Sequence, residues 1–431
     1  MENVKNTENI NSDDLFSALA EQKANLHDLA TMGAVITSIQ DTDRVLSVVM
    51  EMATRVVNGE VGSIFLEENE TLVGKASWGM TYDFVDTLLY SENQTITSYC
   101  FEHQKTVILS ELDVKSDDGL SIDSIICAPI KTMEHCYGVI IIINKIDGSF
   151  YTDENKETLE LLLSFLAVAI ENSNLVKERL DRQKVEQEMA IAKQIQETIL
   201  PQNIDETEGL QVGAMYFPAR DVGGDFYDVI KLDEKNLIVL MGDVSNKGVP
   251  AALVMSAASA IIKSSVKQHP EISIAELAAI TNDTLANEII KDREMFVTLF
   301  YCKIELENER LTYTNAGHLP GLYWNSEKEK IEQLLVGGPI VGQFPGIKYK
   351  EEVCTLRKGD SLFLFTDGLT ESADNKNQLF GLERAEQVFS TERSLPPQEF
   401  CLRVKEWVEN FTVGCSEDMV DDFTIMEIKV D

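Results

Sequence analysis

From Leu161 to Leu200 the chain contains neither glycine nor proline and is rich in Glu, Lys, Gln, Arg and Ala. With nothing to break or kink it, such a stretch favours one long α-helix. Its apolar positions, among them Phe165, Val168, Leu175, Val176, Leu180, Val185, Met189, Ala192, Ile195 and Ile199, follow three-four spacing in pieces, with a phase slip near Val176. This is the pattern of a short, imperfect coiled coil, so the helix is expected to carry a homodimer; the plainer alternative is a helix lying on its own domain. Either way it divides the 431 residues into two halves, each of which must bury its own core.

The N-terminal half opens on a polar stretch, residues 1–12, within a segment 1–27 expected to be partly helical and partly disordered. Helical spacing runs from Asp13 to about Asn58, through Leu15, Leu19, Leu26, Leu29, Met32, Val35, Ile36 and Ile39, and after Asp41-Thr42-Asp43 through Val45, Val48, Val49, Met52 and Val56. Two helices are the simplest reading. Strands are expected at residues 62–66, 71–77, 106–109, 124–130 and 137–144, the last two joined as a hairpin around Met133-Glu134-His135. A helix beginning near Thr152-Asp153-Glu154 and packing Leu159, Leu162, Phe165, Leu166 and Ile170 closes a sensor-sized α/β unit.

These residues resemble a GAF domain over 28–172. Asn144-Lys145, Phe150 and Asp153-Glu154 are similar to the Asn-Lys…Phe…Asp-Glu signature of GAF domains that bind cyclic nucleotides, with the final spacing one residue short. A bland reading stands beside the ligand reading: an ion pair from Lys145 to Asp153 that latches a loop to a helix. The sensor ligand is undetermined at this level.

Composition narrows function. Hydrophobic residues make up 44% and charged residues 26%, the balance of a folded globular protein. A formal charge of -36 disfavours nonspecific binding to nucleic acid or anionic lipid, whereas clustered carboxylates suit hard cations. The cysteines, at 100, 127, 136, 302, 354, 401 and 415, form no Cys-x-x-Cys pair, so neither a disulfide framework nor a zinc site is indicated. Met1 is followed by polar, acidic residues and no apolar run approaches about 18 residues, so neither a signal peptide nor a membrane span is expected. The expected compartment is a reduced cytoplasm.

Beyond Pro201 the texture becomes β-rich, with segments bounded by Gly and Asp. Strands are expected at 211–218, 224–231, 236–244, 296–306, 310–315, 361–365 and 423–430, and helices at 250–267, 273–288, 382–389 and 397–411, which together suit a β-sandwich flanked by helices. Acidic residues recur where an apolar strand starts or stops: Asp225 and Asp228 in Val222-Gly-Gly-Asp-Phe-Tyr-Asp228, Asp243 before Val244, Asp367 before Gly368, and Asp421-Asp422 before Phe423. One Asp-Gly is most simply a turn. Four such positions whose strand ends converge at a sheet rim are a means of building a hard-metal site from distant sequence. Neither the Cys-x5-Arg phosphate cradle nor the Walker loop is present.

The ordered strings Val222-Gly-Gly-Asp-Phe-Tyr-Asp228, Gly242-Asp-Val-Ser-Asn-Lys-Gly248-Val-Pro-Ala-Ala252, Asn315-Ala-Gly-His-Leu-Pro320, Phe365-Thr-Asp-Gly-Leu-Thr-Glu371 and Asp421-Asp-Phe-Thr424 resemble those of SpoIIE/RsbU-type phosphatases, within the wider PPM family, from about Ala190 onward. The resemblance implies an α/β multidomain chain: a GAF-like sensor at 28–172, a coiled-coil linker at 173–200 and a PPM-type αββα sandwich at 201–431. It implies two divalent cations, manganese or magnesium. Asp243 would bridge them, Asp225 and the Val244 carbonyl completing one site and Asp367 and Asp421 the other, with Asp228 and Asp422 as further candidates. Two such cations activate water for in-line attack on phosphorus.

Arg220 is a candidate fork for a substrate phosphate. His318 reads either as a proton shuttle or as a turn residue that stabilises the rim, and the turn reading is preferred. The implied partner is a phosphorylated STAS-domain anti-anti-sigma factor. A noncatalytic scaffold binding the same partner is the rival reading, opposed by the complete ligand set.

Overall fold

The computed structural model describes residues 31, 33–36, 38, 41–79, 89–91, 94–115, 121–201, 204, 207–291, 294–413 and 421–431. The segment 1–27, the helical positions Leu15, Leu19, Leu26, Leu29, Met32 and Ile39, and Cys415 lie outside them. Two compact units are formed, Met1–Gln183 and Lys184–Asp431.

In the first unit, five antiparallel strands are ordered Thr71–Trp78, Gly59–Glu68, Cys136–Lys145, Ser121–Lys131 and Val107–Lys115. The isoleucine run of Cys136–Lys145 is buried on both faces, as befits the central strand. Ile140 and Ile142 face a core shared with helix Thr42–Val56 and with Leu159, Leu162 and Leu166 of the long helix. Ile141 and Ile143 face Cys100 and Ile96. The latter belong to helix Ile96–His103, which the sequence reading missed: it is only two turns long, with too few positions to establish a period.

The Lys145–Asp153 latch is not formed; among the described residues no ion pair joins them. Asn144 ties the loop instead, from a left-handed φ of 54°. Its Oδ1 accepts from the Asp123 amide at 2.8 Å, its Nδ2 donates to the Ser121 carbonyl at 2.6 Å, and its carbonyl accepts from the Tyr151 hydroxyl at 2.7 Å. A buried side-chain amide with several partners is a firmer tie than a solvated ion pair.

The long helix spans Asp153–Ile199. Leu175, Val176, Leu180, Val185, Ile191 and Ile195 are all exposed along it. By length and composition it and Val249–Gln268 each contain a window apolar enough to cross a bilayer, although polar and charged residues interrupt both and neither is an unbroken apolar run. Helices that pack on sheets share this composition.

The second unit is an αββα sandwich. One sheet runs Phe226–Lys231, Asn236–Val244, Val297–Glu305, Arg310–Ala316, with Gly337–Gly338 and Glu352–Thr355 also pairing with the last. The other runs Lys330–Leu334, Gly321–Asn325, Ser361–Phe365, Phe423–Val430, Leu210–Phe217. Val239, Met241, Phe300, Leu364 and Met426 fill the space between sheets. Helices Val249–Gln268 and Ile274–Thr284 cover one outer face, and Gly381–Glu392 and Pro397–Phe411 the other. The expected helix 273–288 changes at Thr284 into a π-turn, Leu285–Ile289.

Glu427, in the middle of the Phe423–Val430 strand, is fully buried and neither carboxyl oxygen has a hydrogen-bond partner. Burial pushes its pKa up to about 8. The folded state therefore holds a proton that the unfolded chain releases near pH 4.5, and stability falls as pH rises from there through about 8. Glu427→Gln should remove this slope and raise stability at pH 9 by a few kcal/mol, at about 1.4 kcal/mol per pKa unit. Urea melts of both proteins across pH check it, and parallel curves would contradict it.

Candidate active site

The acidic residues collect at one end of the sandwich because each lies at a strand terminus. Asp225 precedes Phe226–Lys231, Asp243 ends Asn236–Val244, Asp367 follows Ser361–Phe365, and Asp421-Asp422 lead into Phe423–Val430. Antiparallel pairing then brings these termini to a common rim.

Asp225 is 1% exposed. Its Oδ2 accepts from Thr366 Oγ1 and Thr424 Oγ1, both at 2.6 Å, whereas its Oδ1 is buried without any partner. Burial, and then the charge of Asp243, hold its pKa well above the usual carboxylate range. Asp243 is pushed up to about 7 by burial and next by the charge of Asp367. Asp367 is pushed up to about 6 by burial and next by Asp421. Carboxylates crowded out of water in this way require a cation or protons.

The donor set suits a hard divalent cation: carboxylates and a backbone carbonyl, all oxygen. Gly224 clears the approach, since a Cβ there would stand 2.8 Å from the Val244 carbonyl oxygen. Among the described residues no three carboxylate, imidazole or thiolate side chains close around a single point. Asp421 is instead turned to Lys247, with Oδ2 2.9 Å from Nζ.

The two further acidic candidates serve as braces. Asp422 is buried and accepts from the Ala219 amide at 2.7 Å and the Gly224 amide at 2.6 Å, fixing the loop that carries Asp225. Its side chain thus points inward, onto the backbone of that loop. Asp228 pairs with Lys263 at 2.9 Å and sits opposite Leu240, down the strand from Asp243.

His318 is buried, with Nδ1 2.8 Å from Thr298 Oγ1 and its amide donating to Asn315 Oδ1 at 2.8 Å. Burial lowers its pKa to about 4, so the ring is neutral near pH 7. Arg220 is exposed, and its Nη1 lies 3.8 Å from where a Cβ on Gly248 would be.

Several contributors were not found from sequence. Thr366 and Thr424 lie inside the quoted strings, but only the fold shows that both hydroxyls meet Asp225. Gln196, near the end of the long helix, is buried and clamps Gly223: Nε2 donates to its carbonyl at 2.6 Å and Oε1 accepts from its amide at 3.1 Å. Lys263 donates to the Ile199 carbonyl at 2.7 Å as well as pairing with Asp228.

The model of the family described as Stage II sporulation protein E (SpoIIE) matches residues 233–431, and that of the GAF domain matches 41–170. Phosphoserine phosphatase RsbU of Bacillus subtilis is 30% identical over 252 residues, covering 58% of this chain and 71% of that protein. The chain belongs to the SpoIIE/RsbU-type phosphatase family. It is accordingly a protein serine/threonine phosphatase of the PPM class with an N-terminal GAF domain. Protein IcfG of Synechocystis is also 30% identical, over 233 residues, although the match spans only 36% of it and 48% of this chain. Among solved structures, the SiaA-PP2C domain of Pseudomonas aeruginosa superposes with a TM-score of 0.50 at 20% identity, covering 58% of this chain and 98% of that one, a likeness of fold. The SpoIIE match includes Asp243, Val244, Asp367 and Asp421, whereas Asp225 lies ahead of it.

Proposed function

We propose that this phosphatase hydrolyses a phosphoserine or phosphothreonine monoester on a protein partner. Two divalent cations, manganese or magnesium, would be held by Asp225, Asp243 and the Val244 carbonyl on one side, and by Asp243, Asp367 and Asp421 on the other. The observation that carries this reading is the partnerless, buried Oδ1 of Asp225 beside the crowded Asp243 and Asp367. Bound cations supply charge neutralisation at the phosphoryl oxygens and an acidified water.

The chain supplies the rest. Thr366 and Thr424 fix one oxygen of Asp225 and leave the other free. Asp422 and Gln196 set the Gly223-Gly224 backbone from opposite ends of the unit's sequence. Arg220 offers a fork to the substrate's phosphate. His318, buried and neutral, holds the turn at Asn315 and takes no part in proton transfer.

By family likeness the partner is a STAS-domain phosphoprotein, the sensor domain governs activity, the long helix pairs two copies, and the protein works in the cytoplasm. Turnover of a phosphoserine peptide should require manganese or magnesium and vanish in EDTA. Equal turnover in EDTA and in manganese would overturn the assignment.

A further inference from the structure

The carboxylate cluster already carries one cation of its own. Lys247 lies in the loop between strand Asn236–Val244 and helix Val249–Gln268, with Nζ 2.9 Å from Asp421 Oδ2 and its side chain 43% exposed. Among the described residues neither Asp225, Asp243 nor Asp367 makes an ion pair. Lys263, also on this unit, is committed to Asp228 and to the Ile199 carbonyl.

The surroundings of Lys247 favour a second binding mode. Gly248, next in sequence, has φ of 75° and caps the Val249–Gln268 helix with no side-chain hydrogen bond to its first amides. Arg220 stands over this glycine. An ammonium and the amide end of a 20-residue helix therefore share one loop, and a guanidinium from the segment before Phe226–Lys231 stands over it, a set of donors that suits phosphate oxygens.

An ammonium and a divalent cation cannot share one carboxylate oxygen without strong repulsion. We propose that Lys247 is an internal counter-ion that neutralises Asp421 until a divalent cation takes that carboxylate, and that the released ammonium then binds the substrate's phosphoryl group beside Arg220. This rests on Asp421 being a metal ligand, as assigned above. The half-exposed pair is weak enough to be displaced, and a four-carbon side chain is long and flexible enough to change partners.

Calorimetric titration of the full chain with manganese, together with inhibition by inorganic phosphate, tests both halves. Lys247→Met should bind manganese about two- to five-fold more tightly, since the competing pair is gone. It should also weaken inorganic phosphate by about tenfold, the loss of one charged hydrogen bond. Lys247→Arg should restore phosphate inhibition. Manganese affinity unchanged or reduced in Lys247→Met would overturn the counter-ion role, and unchanged phosphate inhibition would overturn the phosphate role. If Asp421→Asn leaves manganese binding intact, the ligand assignment fails and the proposal with it. If Asp421→Asn loses an ion while Lys247→Met alters nothing, only the proposal fails.

Discussion

Asp243→Asn should abolish metal-dependent turnover while leaving the fold intact. The substitution keeps shape and removes one charge from the carboxylate assigned to both cations, so kcat should fall by well over the roughly 100-fold that follows loss of a mere outer partner of a metal site. Stability separates this from misfolding. Asp243 is disfavoured as an anion by burial and by Asp367, so the asparagine variant should melt at least as high as wild type in EDTA. Wild type should gain stability on adding manganese, by mass action, and the variant should gain much less. Asp367→Asn should behave similarly. Unchanged turnover in both variants would refute the assigned ligands.

The second large effect concerns the long helix. Gln196→Ala removes two buried hydrogen bonds to Gly223, two residues from Asp225, and leaves a carbonyl and an amide unsatisfied. At about 1–3 kcal/mol for such groups, activity should fall by roughly 10- to 100-fold. Inserting about seven residues between Glu178 and Asp181 should keep the helix phase and the basal rate, whereas about four should rotate it and change the rate. The exposed Val176, Leu180, Ile191 and Ile195 fall within about 100° of one another around the helix axis and give it a face to cover, so light scattering should report a dimer. Equal rates for both insertions, or a monomer, would refute the lever.

Strands with strong apolar runs were legible in the sequence: 236–244, 361–365 and 423–430 fall on their observed bounds, because each is buried on both faces. Gly321–Asn325, Lys330–Leu334 and Glu352–Thr355 were not. They are at most five residues long, and Glu352–Thr355 lies largely in solvent, so their pairing depends on register with neighbours. The acidic positions could be read from the strings they occupy. The roles within the set could not, since Asp422 and Gly224 meet across 198 residues of chain. Lys145 and Asp153 do not pair, and Asn144 holds this region instead, through Ser121, Asp123 and Tyr151.

The Phe423–Val430 strand lies between Leu210–Phe217 and Ser361–Phe365, pairing with both. During synthesis Leu210 must wait for residue 430, about 10 to 45 s at roughly 5–20 residues per second. For that interval the Leu210–Phe217 strand, which ends its sheet and pairs only with Phe423–Val430, has both edges open, a template for wrong pairing. The same late strand brings Asp421, Asp422 and Thr424, so until it pairs the nascent chain lacks the second hydroxyl on Asp225 and the carboxylate that braces its loop. Catalytic competence should therefore be timed by translation, and a chain cut short ahead of Asp421 should be inert rather than unregulated.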